Sequence, residues 1–525
     1  MHLKNKFIDF LNRYFHLLLI SIFALFLQLI FFTGYTAHPS DEGIILRNSY
    51  LVLKGEFLSL LKQYRSVRES GLYDPSEAFS FRPFMFLPIA FFWLVFGINE
   101  FTTVLWTIIC FQGIIITTYF LGKILFNHKV GIIAAFLISI FPLQLLYSTR
   151  VSIDTPLTFF MGLSVLFFLK GEHKLSDKNT KYFLLSGLCL FFAYLVKITA
   201  VVLFGVYIFF ILFYKRKIHK KYFSLLIIFL FGLMCESLFY YNLTDHPFLR
   251  HMVNRGFLLS KRINEPTRNI TITNFLKLCY IESEPIFYLS YMFGLNVPIE
   301  YKYPHIEFFY FFVLLGVVIC FLNRKRSSDF LLIWFFILFL WLEFGTTGIQ
   351  VTDGTLNYWV VQKHDRYMMI LSIPSVLILS YFISSLKNRV IEGIILLFLF
   401  ISSLYFVNTS NSSLKDVTSD MKEAHSFLKD KPEAEIYCDY LCVDFLNYYS
   451  GYKRTQHLHI LPINMSELEN IKNAYVIVGG SRTVGICCIE EMQPKFIPTN
   501  WIDVFRGAGE LNEFRKSRLI IYYVP

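Results

Sequence analysis

Long apolar runs recur along this chain, separated by short loops rich in Lys and Arg. A bilayer core of about 30 Å needs about 20 apolar residues at 1.5 Å rise per residue. Runs near 14–35, 101–122, 131–147, 154–170, 181–198, 199–214, 222–241, 306–322, 329–345, 367–386 and 389–407 meet that need. They predict an all-α polytopic membrane domain of about eleven spans. The stretch Phe84–Gly97 is shorter and contains Pro88, which predicts an interfacial or re-entrant helix.

The basic residues test that choice, because cytoplasmic loops carry the excess of Lys and Arg. With 84–97 at the interface, one side receives Lys4, Lys6, Arg13, Lys123 and Lys129. The same side receives Lys170, Lys174, Lys178, Lys181, the 215–221 cluster, Arg324–Arg326, Lys387 and Arg389. Counting 84–97 as a span would put most of these outside. The expected N-terminus is therefore cytoplasmic, and 36–100, 242–305, 346–366 and the chain beyond 408 face outward, most simply at the cell membrane.

Within 36–100, Ile44, Leu51 and Leu58 repeat every seven residues between polar positions, as in a helix lying in the interface. From Ser412 the pattern changes. Helix-like 412–430 precedes strand-like Glu435–Cys438, helix-like 441–450 and strand-like Tyr475–Val478 and Leu519–Val524. This alternation predicts a small extracytoplasmic α/β domain over 408–525, beside a membrane domain over 1–407. The residues 406–412 read as a linker.

Composition agrees with the pattern. Of 525 residues, 55% are hydrophobic, with 60 Phe and 32 Tyr, which excludes an ordinary soluble domain. The net charge of +11 lies in the loops on one side of the membrane, so it predicts membrane lipids and no nucleic acid as partners. Cys110, Cys189, Cys235 and Cys320 fall in apolar runs, where Cys acts as a small hydrophobe. Cys438, Cys442, Cys487 and Cys488 have the spacing of no trusted zinc pattern and leave disulfide, metal and thiol states open.

Polar residues that the hydropathy places at the outer surface form four groups. Asp41-Glu42 lies in the first loop. Tyr147 to Asp154 joins the third and fourth runs and includes Arg150. Lys197 lies at the turn between the fifth and sixth, and Lys363-His364-Asp365-Arg366-Tyr367 precedes the tenth. Taken singly, each has a structural account: an exposed Arg150–Asp154 ion pair, a snorkelling Lys197, an interfacial Arg366-Tyr367 anchor. Ionisable groups at helix mouths are costly unless paired or hydrated, so four at one depth on one side favour a shared site.

These groups resemble the pattern of the GT-C superfamily of polyprenyl-phosphate-sugar glycosyltransferases. The likeness rests on Asp41-Glu42, Phe96-Gly97-Ile98-Asn99, Tyr147-Ser148-Thr149-Arg150…Asp154, Gly187…Lys197-Ile198-Thr199 and Arg366-Tyr367…Pro374. It covers about residues 10–380 and is nearest to the protein O-mannosyltransferase and lipid A aminoarabinose transferase branch. Where relatives carry Pro-Pro-Leu, this chain has Arg82-Pro83-Phe84.

The resemblance implies an extracytoplasmic hexosyl- or pentosyltransferase. It would take its sugar from a polyprenyl-phosphate donor, with inversion, to a glycan, lipid or protein hydroxyl. By that likeness Asp41 is the catalytic carboxylate, with Glu42 and Asp154 beside it. Lys197, Arg150, Arg366 and Tyr367 are candidates for the donor phosphate, since a leaving phosphate needs fixed cations. Asp41, Asp154 and His364 supply donor atoms for a divalent metal, on which members of the superfamily differ. A transporter or flippase of lipid-linked glycans is the rival expectation. It predicts internal repeats and polar residues near the midplane. Only Glu236 and Glu343 are ionisable well inside the runs, which favours the enzyme.

Overall fold

The computed structural model describes residues 2–34, 41–59, 82–173, 180–215, 219–251, 268–269, 292, 307–352, 355–360, 365–431, 434–438, 440–453, 455–460, 470–479, 510–516 and 519–524. The molecule is mostly helical. In chain order the helices are α1 (His2–Phe31), α2 (Asp41–Lys54), α3 (Pro83–Phe96), α4 (Glu100–Leu125), α5 (His128–Ser139), α6 (Pro142–Ser148), α7 (Asp154–His173) and α8 (Thr180–Val196). They continue as α9 (Val202–Phe210), α10 (Lys220–Thr244), α11 (Glu307–Leu322), α12 (Arg326–Phe344), α13 (Ser372–Ser385), α14 (Arg389–Lys429) and α15 (Tyr440–Tyr449).

A helix lies at each of the eleven apolar runs. Among the described residues six are long and apolar enough to cross a membrane, or seven if one bent pair counts as a span. That pair, α5 and α6, turns by 56°, so the run 131–147 is not one straight helix. Pro142 explains the break: it has no N–H to give, and its ring would clash with the carbonyl four residues back. It sits at the start of α6 instead, where neither matters. Phe84–Gly97 is the 14-residue helix α3, with Pro88 inside it.

The chain divides into two compact units. The first comprises Met1–Phe32, Leu58–Met85 and Leu105–Thr409. Its interior is aromatic: the Phe168 ring stacks on Tyr207 with centroids 4.3 Å apart, and Phe111, Phe141, Phe183 and Phe210 are buried. Outward faces are apolar too, as Leu18, Ile22, Phe26 and Leu29 on α1 and Ile227, Phe231 and Leu238 on α10 show. Such faces are stable only against lipid, and the protein is an integral membrane protein. Gly187 lets α8 approach α10. A Cβ there would lie 2.3 Å from the Leu225 carbonyl oxygen.

A small sheet also belongs to this unit. Strand β1 (Arg268–Asn269) pairs with β3 (Thr355–Val360), which pairs antiparallel with β2 (Thr346–Thr352). The segment 346–366 carries β2 and β3. Its strands follow from the β-branched and aromatic residues of Thr346–Val360.

The second unit comprises Thr33–Phe57, Phe86–Val104 and Ser410–Pro525. Its sheet has the order β5-β4-β6-β8-β7, with β4 (Glu435–Cys438), β5 (Leu458–Ile460), β6 (Ala474–Gly479), β7 (Glu510–Lys516) and β8 (Leu519–Val524). Strand β4 runs parallel to both β5 and β6, and α15 makes the crossover from β4 to β5. Strands β6, β8 and β7 pair antiparallel.

The expected linker at 406–412 is absent, because α14 runs unbroken for 41 residues across it. Two hydroxyls of this stretch bond back to carbonyls of the same helix. Ser403 Oγ donates to the Leu399 carbonyl at 2.8 Å and Thr409 Oγ1 to the Tyr405 carbonyl at 2.9 Å. Cys438 and Cys442 are buried and form no disulfide; Cys487 and Cys488 lie outside the described residues.

Candidate active site

In the first unit, Asp154 opens α7 after the turn that follows α6. Thr107 Oγ1 donates to the Arg150 carbonyl at 2.9 Å, and the Ser152 N–H to the same carbonyl at 2.8 Å, which fixes the turn. Thr158 Oγ1 donates to the Asp154 carbonyl at 2.8 Å. The Asp154 side chain is 1% exposed. A buried carboxylate in this position requires positive partners.

Lys197 supplies one. Helix α8 ends at Val196, and Lys197 turns extended (φ −154°, ψ 127°) before a 3-10 turn at Ile198–Val201. From that break its Nζ donates to Asp154 Oδ1 at 2.8 Å. Arg366 supplies the second: its Nε lies 3.8 Å from Asp154 Oδ2. Arg366 stands in a 3-10 segment, Asp365–Leu371, that Gln144 holds by donating to the Met369 carbonyl (3.2 Å) and to Ser372 Oγ (2.9 Å). The Lys197 ammonium also sits 3.7 Å from the centroid of the Tyr367 ring, a cation–π contact.

The structure thus brings together Asp154, Lys197, Arg366 and Tyr367 from three separate stretches of sequence. The exposed i, i+4 pair of Arg150 and Asp154 is overturned: both are buried, and Arg150 precedes the helix. Lys197 does not snorkel, since its head group is on Asp154. Asp41 and Glu42 head α2 in the second unit, where Glu42 is buried. His364 lies outside the described residues.

Residues 80–240 match the family model described as dolichyl-phosphate-mannose-protein mannosyltransferase. No curated protein sequence matches the chain. Among solved structures, the chain is similar to ArnT from Cupriavidus metallidurans in the apo state, with TM-score 0.59 and 12% identity. The match covers 96% of this chain and 97% of that one. The same ArnT bound to undecaprenyl phosphate matches with TM-score 0.57 and 10% identity over equal shares. The Archaeoglobus fulgidus oligosaccharyltransferase tethered with an acceptor peptide matches with TM-score 0.50 and 12% identity, over 90% of this chain and 70% of that one. The chain has the GT-C glycosyltransferase fold.

Within this GT-C fold the cluster gains a residue that the sequence did not single out as functional. Arg82 is near enough for its charge to act on Lys197, alongside Arg366. Its signal was visible only as the departure from Pro-Pro-Leu. Arg82 thus adds a third positive group to the two that converge on Asp154.

It does not suit a metal. Asp154 Oδ1 is taken by Lys197 and Oδ2 faces Arg366, so a third cation at that carboxylate would be repelled. Among the described residues no three His, Cys, Asp or Glu side chains are placed to hold one.

In the second unit, Gly43 follows Asp41-Glu42 and touches α15. A Cβ at Gly43 would lie 3.1 Å from the Phe445 ring and 3.3 Å from Asp444 Cβ. One turn further on, Tyr50 stacks on Tyr452 with centroids 3.8 Å apart. Trp93 Nε1 donates to Thr103 Oγ1 at 3.0 Å, and that hydroxyl is 2.8 Å from the Tyr448 hydroxyl. The carboxylate-bearing helix is thus packed by residues of the tail. No spacing in the sequence announces this.

Proposed function

We propose that the protein is a membrane glycosyltransferase that moves a sugar from a polyprenyl-phosphate donor to an acceptor hydroxyl on the extracytoplasmic face. The observation that carries this reading is the cationic cluster at the mouth of α7. Lys197 and Arg366 converge on one buried carboxylate, with Arg82 within electrostatic reach. The fold is shared with a protein whose structure holds undecaprenyl phosphate.

The chemistry follows from the charges. The acceptor oxygen attacks the anomeric carbon as the bond from that carbon to the donor phosphate oxygen breaks. Asp41 takes the acceptor proton. The departing phosphate gains negative charge, which Lys197, Arg366, Arg150 and Arg82 stabilise at fixed positions, so no reorganisation is needed at the moment of transfer. Asp154 keeps two like charges close together before the phosphate arrives. Tyr367 holds the Lys197 head group from its other side. Glu42 shares the first turn of α2 with Asp41 and supports it. A single displacement gives inversion.

On this reading about eleven helical passes within 1–407 form the transferase, with the N-terminus cytoplasmic. The tail over 408–525 is an extracytoplasmic α/β domain that helps hold the acceptor, a glycan, lipid or protein. Purified protein should release polyprenyl phosphate from a synthetic undecaprenyl-phosphate hexose or aminopentose when membranes supply acceptors, with label passing to those acceptors. Movement of the labelled lipid between leaflets without release would support the flippase instead.

A further inference from the structure

Glu236 is a carboxylate inside a membrane helix, a costly placement that the transfer reaction does not use. It pairs with Arg250: Arg250 Nη1 lies 3.3 Å from Glu236 Oε1, and the Arg250 side chain is 2% exposed. The same guanidinium donates to two main-chain carbonyls at the end of α8. Nη2 reaches the Tyr194 oxygen at 2.6 Å and Nη1 the Leu195 oxygen at 3.5 Å. It also lies over the Tyr194 ring, 4.2 Å from the centroid, and Tyr194 Oη is 2.6 Å from His251 Nε2.

These two carbonyls are the ones a helix break orphans. A helix carbonyl accepts from the N–H four residues on, so Ala193 is served by the Lys197 N–H at 2.9 Å. Tyr194 and Leu195 would need the N–H groups of Ile198 and Thr199, but the extended backbone at Lys197 turns those away. Unpaired carbonyls at the membrane are expensive. Without a substitute donor, the helix would gain by continuing through Lys197 and swinging its side chain off Asp154. Arg250 supplies the missing donors, and Glu236 on α10 holds Arg250 in place.

We infer that Arg250, anchored by Glu236, is a positioning residue that stabilises the break after α8 and so aims Lys197 at the site beside Asp154. This rests on the proposed role of Lys197 in binding the donor phosphate. It adds that a buried ion pair sets the Lys197 position through the backbone, without touching the phosphate.

A double-mutant cycle on the purified full chain tests this, with undecaprenyl phosphate as the probe for affinity and melting temperature as the check on folding. Arg250→Gln should weaken undecaprenyl phosphate binding about tenfold, as should Lys197→Ala. Together they should bind no worse than Lys197→Ala alone, because Arg250 acts through Lys197. Arg250→Lys should recover part of the affinity lost in Arg250→Gln, since an ammonium can still serve one carbonyl. If Arg250→Gln does not fold, Glu236→Gln replaces it in the cycle, with a smaller loss and the same non-additivity. Effects of Arg250 and Lys197 substitutions that multiply would overturn the inference, and so would a folded Arg250→Gln with unchanged affinity. If Lys197→Ala alone leaves binding unchanged, it is the reading of Lys197 that fails, a result the single mutant reports without the cycle.

Discussion

Lys197 Nζ and Asp154 Oδ1 lie 2.8 Å apart although 43 positions separate them in the chain. The contact joins the start of α7 to the break after α8, and both ends are set by local rules: a helix beginning on its acidic residue, and a helix ending where one residue turns extended. Asp in a first helical turn is favoured by the helix dipole, so the carboxylate is held there by more than its partner.

Substitutions in this pair should separate binding from stability. On the proposed function Lys197→Ala removes a cation from the phosphate site, and turnover should fall about 100-fold with weaker donor binding. Asp154→Asn leaves Lys197 and Arg366 facing each other in a buried place. Loss of one partner from a buried pair costs about 3–5 kcal/mol, less here because both cations retain some exposure. Asp154→Asn should therefore lower the melting temperature more than Lys197→Ala does; a stable Asp154→Asn protein would contradict the pairing.

Gly43 is a sensitive point of the second unit. Gly43→Val would push against Phe445 and Asp444, where even a Cβ is tight. Overpacking of this kind costs about 1–3 kcal/mol. It should lower turnover without weakening undecaprenyl phosphate binding, because Asp41 stands two residues earlier. A chain ended at Thr409 should likewise keep donor binding and lose transfer. Loss of donor binding in a folded truncation would contradict the division of roles.

The edge of the tail sheet gives a pH signature. Glu435 on β4 accepts from His457 and from His459 on β5, and the hydrogen bond from His459 chiefly holds its carboxyl below the usual range. A depressed carboxyl adds stability above its unfolded value of about 4.3, and that contribution is lost as pH falls through the lower folded value. Glu435→Gln should speed hydrogen exchange of β4 and β5 at pH 6–7 and converge on the parent only as pH falls through the lowered folded value of Glu435. A difference that persists in acid would argue against this contact.

Sidedness is tested by labelling. Single cysteines placed between α9 and α10 and in the tail should react from opposite faces of the membrane. Labelling from one face would mean that α3 spans and that the polar groups expected together at one surface are divided between two.

Much of this was legible in the sequence for one physical reason. In an apolar chain a polar residue at a helix mouth is an exception, and Asp154, Lys197, Arg366 and Tyr367 were each visible as one. What polarity does not encode was missed. The bend at Pro142 hid inside a continuous apolar run. The helix through 406–412 reads as a linker because its Asn, Ser and Thr look loop-like, although the Thr409 hydroxyl bonds back within the helix. Glu236 stood out, but its partner Arg250 lies outside the run. The packing of Gly43 on Asp444 and Phe445 joins residues some four hundred positions apart, and no local pattern marks a contact of that kind.

On the proposed function, Asp41 takes the proton of the acceptor while the cationic cluster holds the donor phosphate. The most direct measurement is single-turnover transfer from a labelled undecaprenyl-phosphate sugar by wild type and Asp41→Asn, with donor affinity measured on the same preparations. Loss of a general base costs about 100- to 10,000-fold in rate, so Asp41→Asn should be slowed by that much and bind the donor as wild type does. A folded Asp41→Asn protein that transfers sugar at the wild-type rate would contradict the account and move the catalytic role to Asp154.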